Sequence, residues 1–406
     1  MGLSISSGRT RLIGSLAVGQ LIGWGAGFDM LSVTARPMGE ALGIAYDLLF
    51  GGLTLFMLVL AVAGPPVGRL VTRYGARPFL SAGAVVMALG LVLLAACHGP
   101  IGYFAAWGVI GLGGAFALSN PAYAAIVERE GRHARRAIGL MMIVTGMSAG
   151  FAWPLFSFVV ENAGWRTALF VGAGLLLFIA APLNFFGPGP RPARTAAQGR
   201  DAAQMPLLLP AREKRRAFVL IALFSTAFSI IGFGISPSLI ELLGLAGAGP
   251  ALALSLASMR SFLGISARAA DLFIGRNDDP LPAAFLAGSL PLLGGVVAIV
   301  LAPSPAAAIA FVLLYGFGSG MGAVSRAVLP LGFFAPGEYA LMAGRIALPQ
   351  NLATAVAPLL FSLCLARLGF VVALVAVVML ALVALTAVWC LAGLRARSAL
   401  RPGTQM

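Results

Sequence analysis

Charge is scarce in this sequence. Only 10% of its 406 residues are Asp, Glu, Lys or Arg, where soluble domains carry roughly 25%, and 60% are hydrophobic. A chain so poor in polar side chains cannot cover a water-facing surface. That excludes a soluble globular domain, and with it a nucleic-acid surface mounted on one. Chemistry-bearing residues are equally thin. There are two histidines, His98 and His133, one lysine, Lys214, and three cysteines, Cys97, Cys364 and Cys390. None has the spacing of a metal-ligand set, and the cysteines read as packing residues in apolar stretches. There is no Gly-x-x-x-x-Gly-Lys-Ser/Thr phosphate loop and no nucleophile elbow paired with a base, so neither an enzyme activity nor a cofactor is expected. A cleavable leader is not evident either. Met1-Gly-Leu-Ser-Ile-Ser6 matches a myristoylation pattern, but a lipid anchor is redundant in a chain with many membrane spans.

What remains is apolar sequence in long runs. Mean hydropathy is +0.98. Twelve stretches, at about 12–35, 48–68, 78–98, 101–127, 137–161, 165–187, 218–243, 249–267, 282–303, 306–332, 339–366 and 368–394, each approach or exceed the roughly 20 residues a transmembrane helix needs. The 52 Gly and 25 Pro fit membrane helices, which tolerate both and pack closely on small residues. The expected fold is all-α and polytopic, with twelve transmembrane helices in two pseudo-symmetric six-helix bundles.

The net charge of +14 is a topology signal. With both termini cytoplasmic, twenty-one of the 27 basic residues fall in inner connections, whereas only Arg36, Arg166 and Arg367 fall outside. Arg260, Arg326 and Arg345 lie within spans. This is the positive-inside pattern, and the Arg-over-Lys bias and short tails point to a bacterial inner membrane. Residues 1–187 form the N-terminal bundle, 188–217 a Pro- and Arg-rich cytoplasmic linker, and 218–406 the C-terminal bundle. The halves echo one another: Pro154-Leu-Phe-Ser with Gly164-Trp165 matches Pro358-Leu-Leu-Phe-Ser with Gly369-Phe370. Duplicated six-span halves place a solute site at their interface near mid-membrane.

A family resemblance follows. Gly68-Arg-Leu-Val-Thr72-Arg73-Tyr-Gly75-Ala-Arg77 resembles the Gly-x-x-x-Asp-Arg-x-Gly-x-Arg signature of the major facilitator superfamily. It falls in the expected loop between spans two and three, but Thr72 stands where the family carries an acid. The fifth span, with Gly139, Gly146, Gly150 and Pro154, is also similar to the family's fifth helix. The resemblance implies secondary transport by alternating access, with Gly68, Arg73, Gly75 and Arg77 in an inner gate. There the missing acid leaves the charge network weaker, or completed by another carboxylate. The oxalate/formate antiporter and monocarboxylate transporter branch carries a membrane-centre arginine in span eight that contacts the substrate carboxylate, and Arg260 occupies the matching place.

The residues support this independently. Arg260 sits about 15 Å into a hydrocarbon layer roughly 30 Å thick, where a charge costs on the order of 2.5–3.5 kcal/mol and needs a partner or water. Its planar fork fits a carboxylate bidentately; the plain alternative is an arginine bonded to neighbouring helices. Asp29 is the one carboxylate deep in an apolar span. It is a proton-coupling candidate, or else an outer-gate hydrogen-bonding group. Gln20, Trp24, Asn120, Tyr123, Gln350 and Asn351 offer polar edges for a small substrate site, and each alone also reads as a packing hydrogen bond. Arg326 and Arg345 are expected to form inner-gate ion pairs with Glu338 or Asp271. The expected function is transport of a small, monocarboxylate-like anion by a monomer in the lipid bilayer, with protons as the coupling ion. The alternatives are an exporter of amphipathic compounds and a membrane sensor or scaffold that moves nothing.

Overall fold

The computed structural model describes residues 7–131, 134–189, 209–274 and 279–399. Most of the expected linker lies outside the described residues. So do the pattern at 1–6, His133, and Arg132, Arg191, Arg194, Arg200, Arg276 and Arg401. Among the described residues the chain is helical and has no strand, as lipid demands of a backbone that must satisfy its own hydrogen bonds. Ten helical runs among the described residues are long and apolar enough to cross a membrane.

The chain divides into two compact units. The first is Met1–Arg194 together with Pro336–Leu348, and the second is Thr195–Ala335 together with Pro349–Met406. In chain order the first unit has α1 (Ser7–Trp24), a wide π turn at Gly25–Asp29, α2 (Leu31–Leu42), α3 (Tyr46–Leu49), α4 (Gly51–Tyr74), α5 (Ala76–Ala96), α6 (Pro100–Ala117), α7 (Ser119–Glu130), α8 (Ala134–Thr145), α9 (Ser148–Leu175), a second π turn at Leu176–Ala180 and α10 (Ala181–Phe186). The second has α11 (Ala211–Leu245), α12 (Pro250–Ile274), α13 (Leu281–Leu301), α14 (Pro305–Val328) and most of α15 (Tyr339–Ala399).

Two of the ten runs are far longer than a bilayer requires. Ala134–Phe186 and Pro336–Ser398 have 53 and 63 residues, or about 80 and 95 Å if straight. Each contains a glycine at positive φ in an extended backbone conformation: Gly164 at φ 81, ψ 166, and Gly369 at φ 85, ψ 175. That conformation is accessible essentially to glycine alone. The repeat read from Gly164-Trp165 and Gly369-Phe370 is therefore a repeat of backbone conformation. A Cβ at either glycine meets nothing within 4 Å, so any penalty for adding one comes from the backbone. Gly164→Ala and Gly369→Ala are each expected to cost about 1–3 kcal/mol, measured as earlier thermal unfolding in detergent. Gly108→Ala, in equally open space at an ordinary helical φ, is expected to be neutral or stabilising. Equal effects at all three positions would refute the backbone argument.

Glycine otherwise brings helices together. A Cβ on Gly83 of α5 would lie 2.6 Å from the Ala117 nitrogen, and one on Gly113 of α6 would lie 2.5 Å from the Met87 nitrogen. These helices pack backbone against backbone, as small residues permit in membranes. Beside them Phe56 meets Trp107 edge-on at 6.2 Å. In the second unit Ile231, Ile235, Leu239, Phe311, Tyr315 and Leu374 belong to one buried cluster, with Phe311 and Tyr315 stacked at 5.3 Å.

Candidate functional site

The expected site residues fall into groups that each unit builds separately. In the first unit they gather around three helix interruptions. The first is the π turn, where the Met30 N–H donates to the Gly25 carbonyl at 2.9 Å, one residue further back than in an α-helix. Gly25 and Gly27 hold this turn against its neighbours: a Cβ on Gly25 would lie 3.1 Å from the Ala152 methyl. The second is Leu118, extended at φ −88, ψ −163 between α6 and α7. The third is the turn at Gly146–Met147 between α8 and α9.

Side chains of α1 bridge these interruptions. In a continuous helix the Ala117 carbonyl would accept from residue 121, but Pro121 has no N–H. Gln20 supplies the missing donor: its Nε2 donates to the Ala117 carbonyl at 2.7 Å, and its side chain is fully buried. One turn on, Trp24 Nε1 donates to Ser119 Oγ at 3.2 Å. The π turn then presents Asp29, whose Oδ2 accepts from Ser148 Oγ at 2.6 Å, while its backbone carbonyl accepts from Trp153 Nε1 at 3.2 Å. Ser148 is the first residue of α9, so the Asp29 carboxylate is tied to the helix start that follows the third interruption. Asn120, half-buried, and Tyr123, buried, follow on α7.

At the far end of α4 the motif resembling the superfamily signature has its own arrangement. Thr72 Oγ1 donates back to the Gly68 carbonyl at 2.8 Å and so makes no substitute for an acid. Glu128 of α7 instead accepts from the Ala76 N–H at 3.4 Å, putting a carboxylate at the positive N-terminus of α5. Arg77 donates through Nε to the Phe185 carbonyl and lies over the Phe185 ring at 4.0 Å. Arg73 lies over Tyr74 at 5.0 Å, and Gly75 separates α4 from α5. Gly68 packs so closely on residue 340 that a Cβ would lie 2.6 Å from the Ala340 carbonyl. Glu338 lies in the short turn Pro336–Glu338 and Arg345 is exposed on the first turns of α15; both belong to the first unit.

In the second unit α12 lies along α14. Gly316 allows this: a Cβ there would lie 3.1 Å from Leu263 and 3.6 Å from the Arg260 Cα. The Arg260 guanidinium is set over the Tyr315 ring at 5.3 Å, and its Nη1 donates to Ser236 Oγ at 3.1 Å. Tyr315 in turn donates to the Gly232 carbonyl at 3.2 Å. The arginine is half-buried, and its Nε has no hydrogen-bond partner among the described residues. It thus keeps donor capacity beyond the contacts that orient it. Arg326 donates through Nη1 to Ser229 Oγ at 2.7 Å, Asp271 is buried on α12, and Gln350 and Asn351 are half-buried on α15.

Sequence reasoning missed Ser148, Ser236, Tyr315 and Glu128. Tyr315, one of six tyrosines in the chain, carried a readable signal: a phenol inside an apolar run keeps a polar handle that needs a partner. The two serines gave none, because serine is common in membrane helices as a self-satisfied residue.

A profile of the Major Facilitator Superfamily matches residues 20–323. Monocarboxylate transporter 13 of Bos taurus is 28% identical over 277 residues, covering 66% of this chain and 62% of that protein. Monocarboxylate transporter 11 of Mus musculus is 29% identical over 217 residues, covering 50% of this chain and 46% of that protein. The chain spans less than two thirds of the length of these curated relatives. Among solved structures, the human organic anion transporter MFSD10 (TETRAN) superposes with a TM-score of 0.72 at 17% identity, covering 94% of this chain and 99% of that one. The proton:xylose symporter XylE does so with a TM-score of 0.70 at 13% identity, covering 94% and 96%. At these identities the superpositions speak for the fold.

Proposed function

The chain belongs to the Major Facilitator Superfamily, and from that premise we propose that it is a secondary transporter of a small monocarboxylate-like anion, working by alternating access. Twelve crossings in two six-helix halves follow if the chain reverses at Gly164 and Gly369. The basic connections then face the cytoplasm of a bacterial inner membrane, and a single chain is the working unit.

One observation carries the substrate class. Arg260 is a half-buried guanidinium in an apolar helix, oriented by Ser236 and Tyr315, with Nε uncommitted. A carboxylate is the ligand that such a planar fork fits best. The likeness to monocarboxylate transporters supports the same class. Trp24, Asn120 and Tyr123 of the first unit and Asn351 of the second are the further polar side chains assigned to substrate recognition, and Gln20, buried against the Ala117 carbonyl, acts on it only by holding the start of α7. Asp29 carries the coupling proton: as a carboxylate it accepts from Ser148, and once protonated it has a donor of its own, so uptake of a proton rewrites the bond that anchors the start of α9. Gly68, Arg73, Gly75, Arg77, Glu338 and Arg345 are the inner-gate residues assigned to the first unit, and Asp271 and Arg326 those assigned to the second.

A second reading draws on the same contacts. Because Ser236 and Tyr315 already engage Arg260, the arginine would be structural in an exporter of amphipathic compounds. A thermal-shift screen of purified protein against carboxylates, sugars, amino acids and drugs separates the two. A bound carboxylate at 100 times its Kd is expected to stabilise the fold by about 2.7 kcal/mol. Stabilisation by bulky apolar compounds alone would favour the exporter, and no solute flux under any imposed gradient in vesicles would favour a sensor.

A further inference from the structure

We propose that the cleft at the end of α2 is a second, shallow capture site for small carboxylates, with Arg36 as its cation. The cleft measures about 840 Å³ and is lined by Ser32, Arg36, Glu40, Ile44 and Tyr46, among others, within the size range of small-molecule sites. It lies wholly in the first unit. This proposal rests on the anion-transport reading and adds to it a recognition step distinct from Arg260.

Three features point to a ligand. The run Gly8–Leu42 has 35 residues, about 52 Å, so it outruns a hydrocarbon layer of roughly 30 Å and leaves the end of α2 in the polar zone. Ser32, Arg36 and Glu40 recur every four residues and are all exposed, a polar stripe rising from the Asp29 turn. The charges are loosely held: Arg36 Nε lies 3.6 Å from the Glu40 carboxylate, with the two side chains 86% and 73% exposed. An exposed pair at that separation is weak and readily exchanged. An incoming carboxylate therefore replaces Glu40 on Arg36, while the exposed Tyr46 ring, itself packed edge-on to Phe50 at 5.4 Å, offers apolar surface to the rest of the molecule.

Proteoliposomes of the full chain with [14C]pyruvate as probe test this. For Arg36→Gln the expected result is a KM at low ionic strength raised about tenfold, the lower end of what electrostatic focusing supplies. Maximal rate is expected to be unchanged, and the difference should vanish near 1 M salt, where the Debye length falls to about 3 Å. Glu40→Gln is expected to lower KM, because it frees the arginine. Unchanged KM and salt dependence in Arg36→Gln, alongside loss of flux in Arg260→Ala, would overturn the capture site while leaving the transport reading intact. An Arg36→Gln effect confined to vesicles containing phosphatidylglycerol, and absent in phosphatidylcholine, would assign Arg36 to a lipid headgroup and likewise overturn it. If the wild-type chain moves and binds no carboxylate, the capture site falls together with the reading on which it rests.

Discussion

Arg260→Ala is expected to abolish carboxylate transport while leaving the fold intact. Truncating one partner of a desolvated charge pair costs about 2–5 kcal/mol in binding, or roughly 30- to several-thousandfold in affinity. The arginine is oriented by the Ser236 hydroxyl and the Tyr315 side chain, both of which are small demands to leave unmet when it is removed. Tyr315 keeps its bond to the Gly232 carbonyl. Arg260→Lys is the informative companion. Lysine preserves the charge but not the two-pronged donor geometry, so it is expected to retain weak binding and lose discrimination between carboxylates and other anions. Flux of radiolabelled carboxylate in proteoliposomes, with size-exclusion profiles as the fold control, reads both variants. Wild-type flux in Arg260→Ala would remove the arginine from the substrate's path.

The second large effect is expected at Asp29. With one proton carried per anion, a pH step of one unit drives about tenfold accumulation, equivalent to roughly 1.4 kcal/mol. Asp29→Asn is expected to lose that accumulation entirely while still exchanging labelled for unlabelled anion. Asparagine keeps an oxygen that can accept from Ser148 Oγ, now 2.6 Å from Asp29, so the position of α9 is preserved and only the titrating group is removed. Ser148→Ala is the control for geometry: it keeps the carboxyl and removes the bond, so it should leave accumulation present but altered in its pH profile. Accumulation that survives intact in Asp29→Asn would move the coupling group elsewhere.

Much of the architecture was legible because hydropathy and glycine placement are local signals. Gly164 and Gly369 stood out as matched pauses between apolar stretches, and both adopt a backbone conformation that ordinary residues avoid. Arg260 and Asp29 stood out because a lone charge in an apolar run demands explanation. Their partners did not, since Ser148 and Ser236 meet them across 119 and 24 residues. The interruption at Leu118 was half-visible: Pro121 announces a lost donor, but nothing nearby in the sequence names Gln20, 97 residues before the Ala117 carbonyl, as its replacement. Thr72 marked a departure from the superfamily signature without indicating that Glu128 would bring a carboxylate to α5 from another helix. The sequence also gave no sign that residues 336–348 cluster with the first unit, because that grouping depends on the small residues Gly64, Gly68 and Gly344 meeting backbone across the chain.

The wide turn at Gly25–Asp29 also sets a phase. Trp24 and Ser32 are eight positions apart, which in an unbroken α-helix leaves them about 80° out of step. The residue absorbed by the turn reduces the separation to an effective seven, close to two whole revolutions. One face of the first run is thereby kept continuous from Gln20 to Glu40. Were the turn drawn tight into an unbroken α-helix with no residue lost, everything beyond it would swing by about 100°, carrying Ser32, Arg36 and Glu40 off the face they share with Trp24, whereas excising Ala26 would restore a regular helix and keep that face.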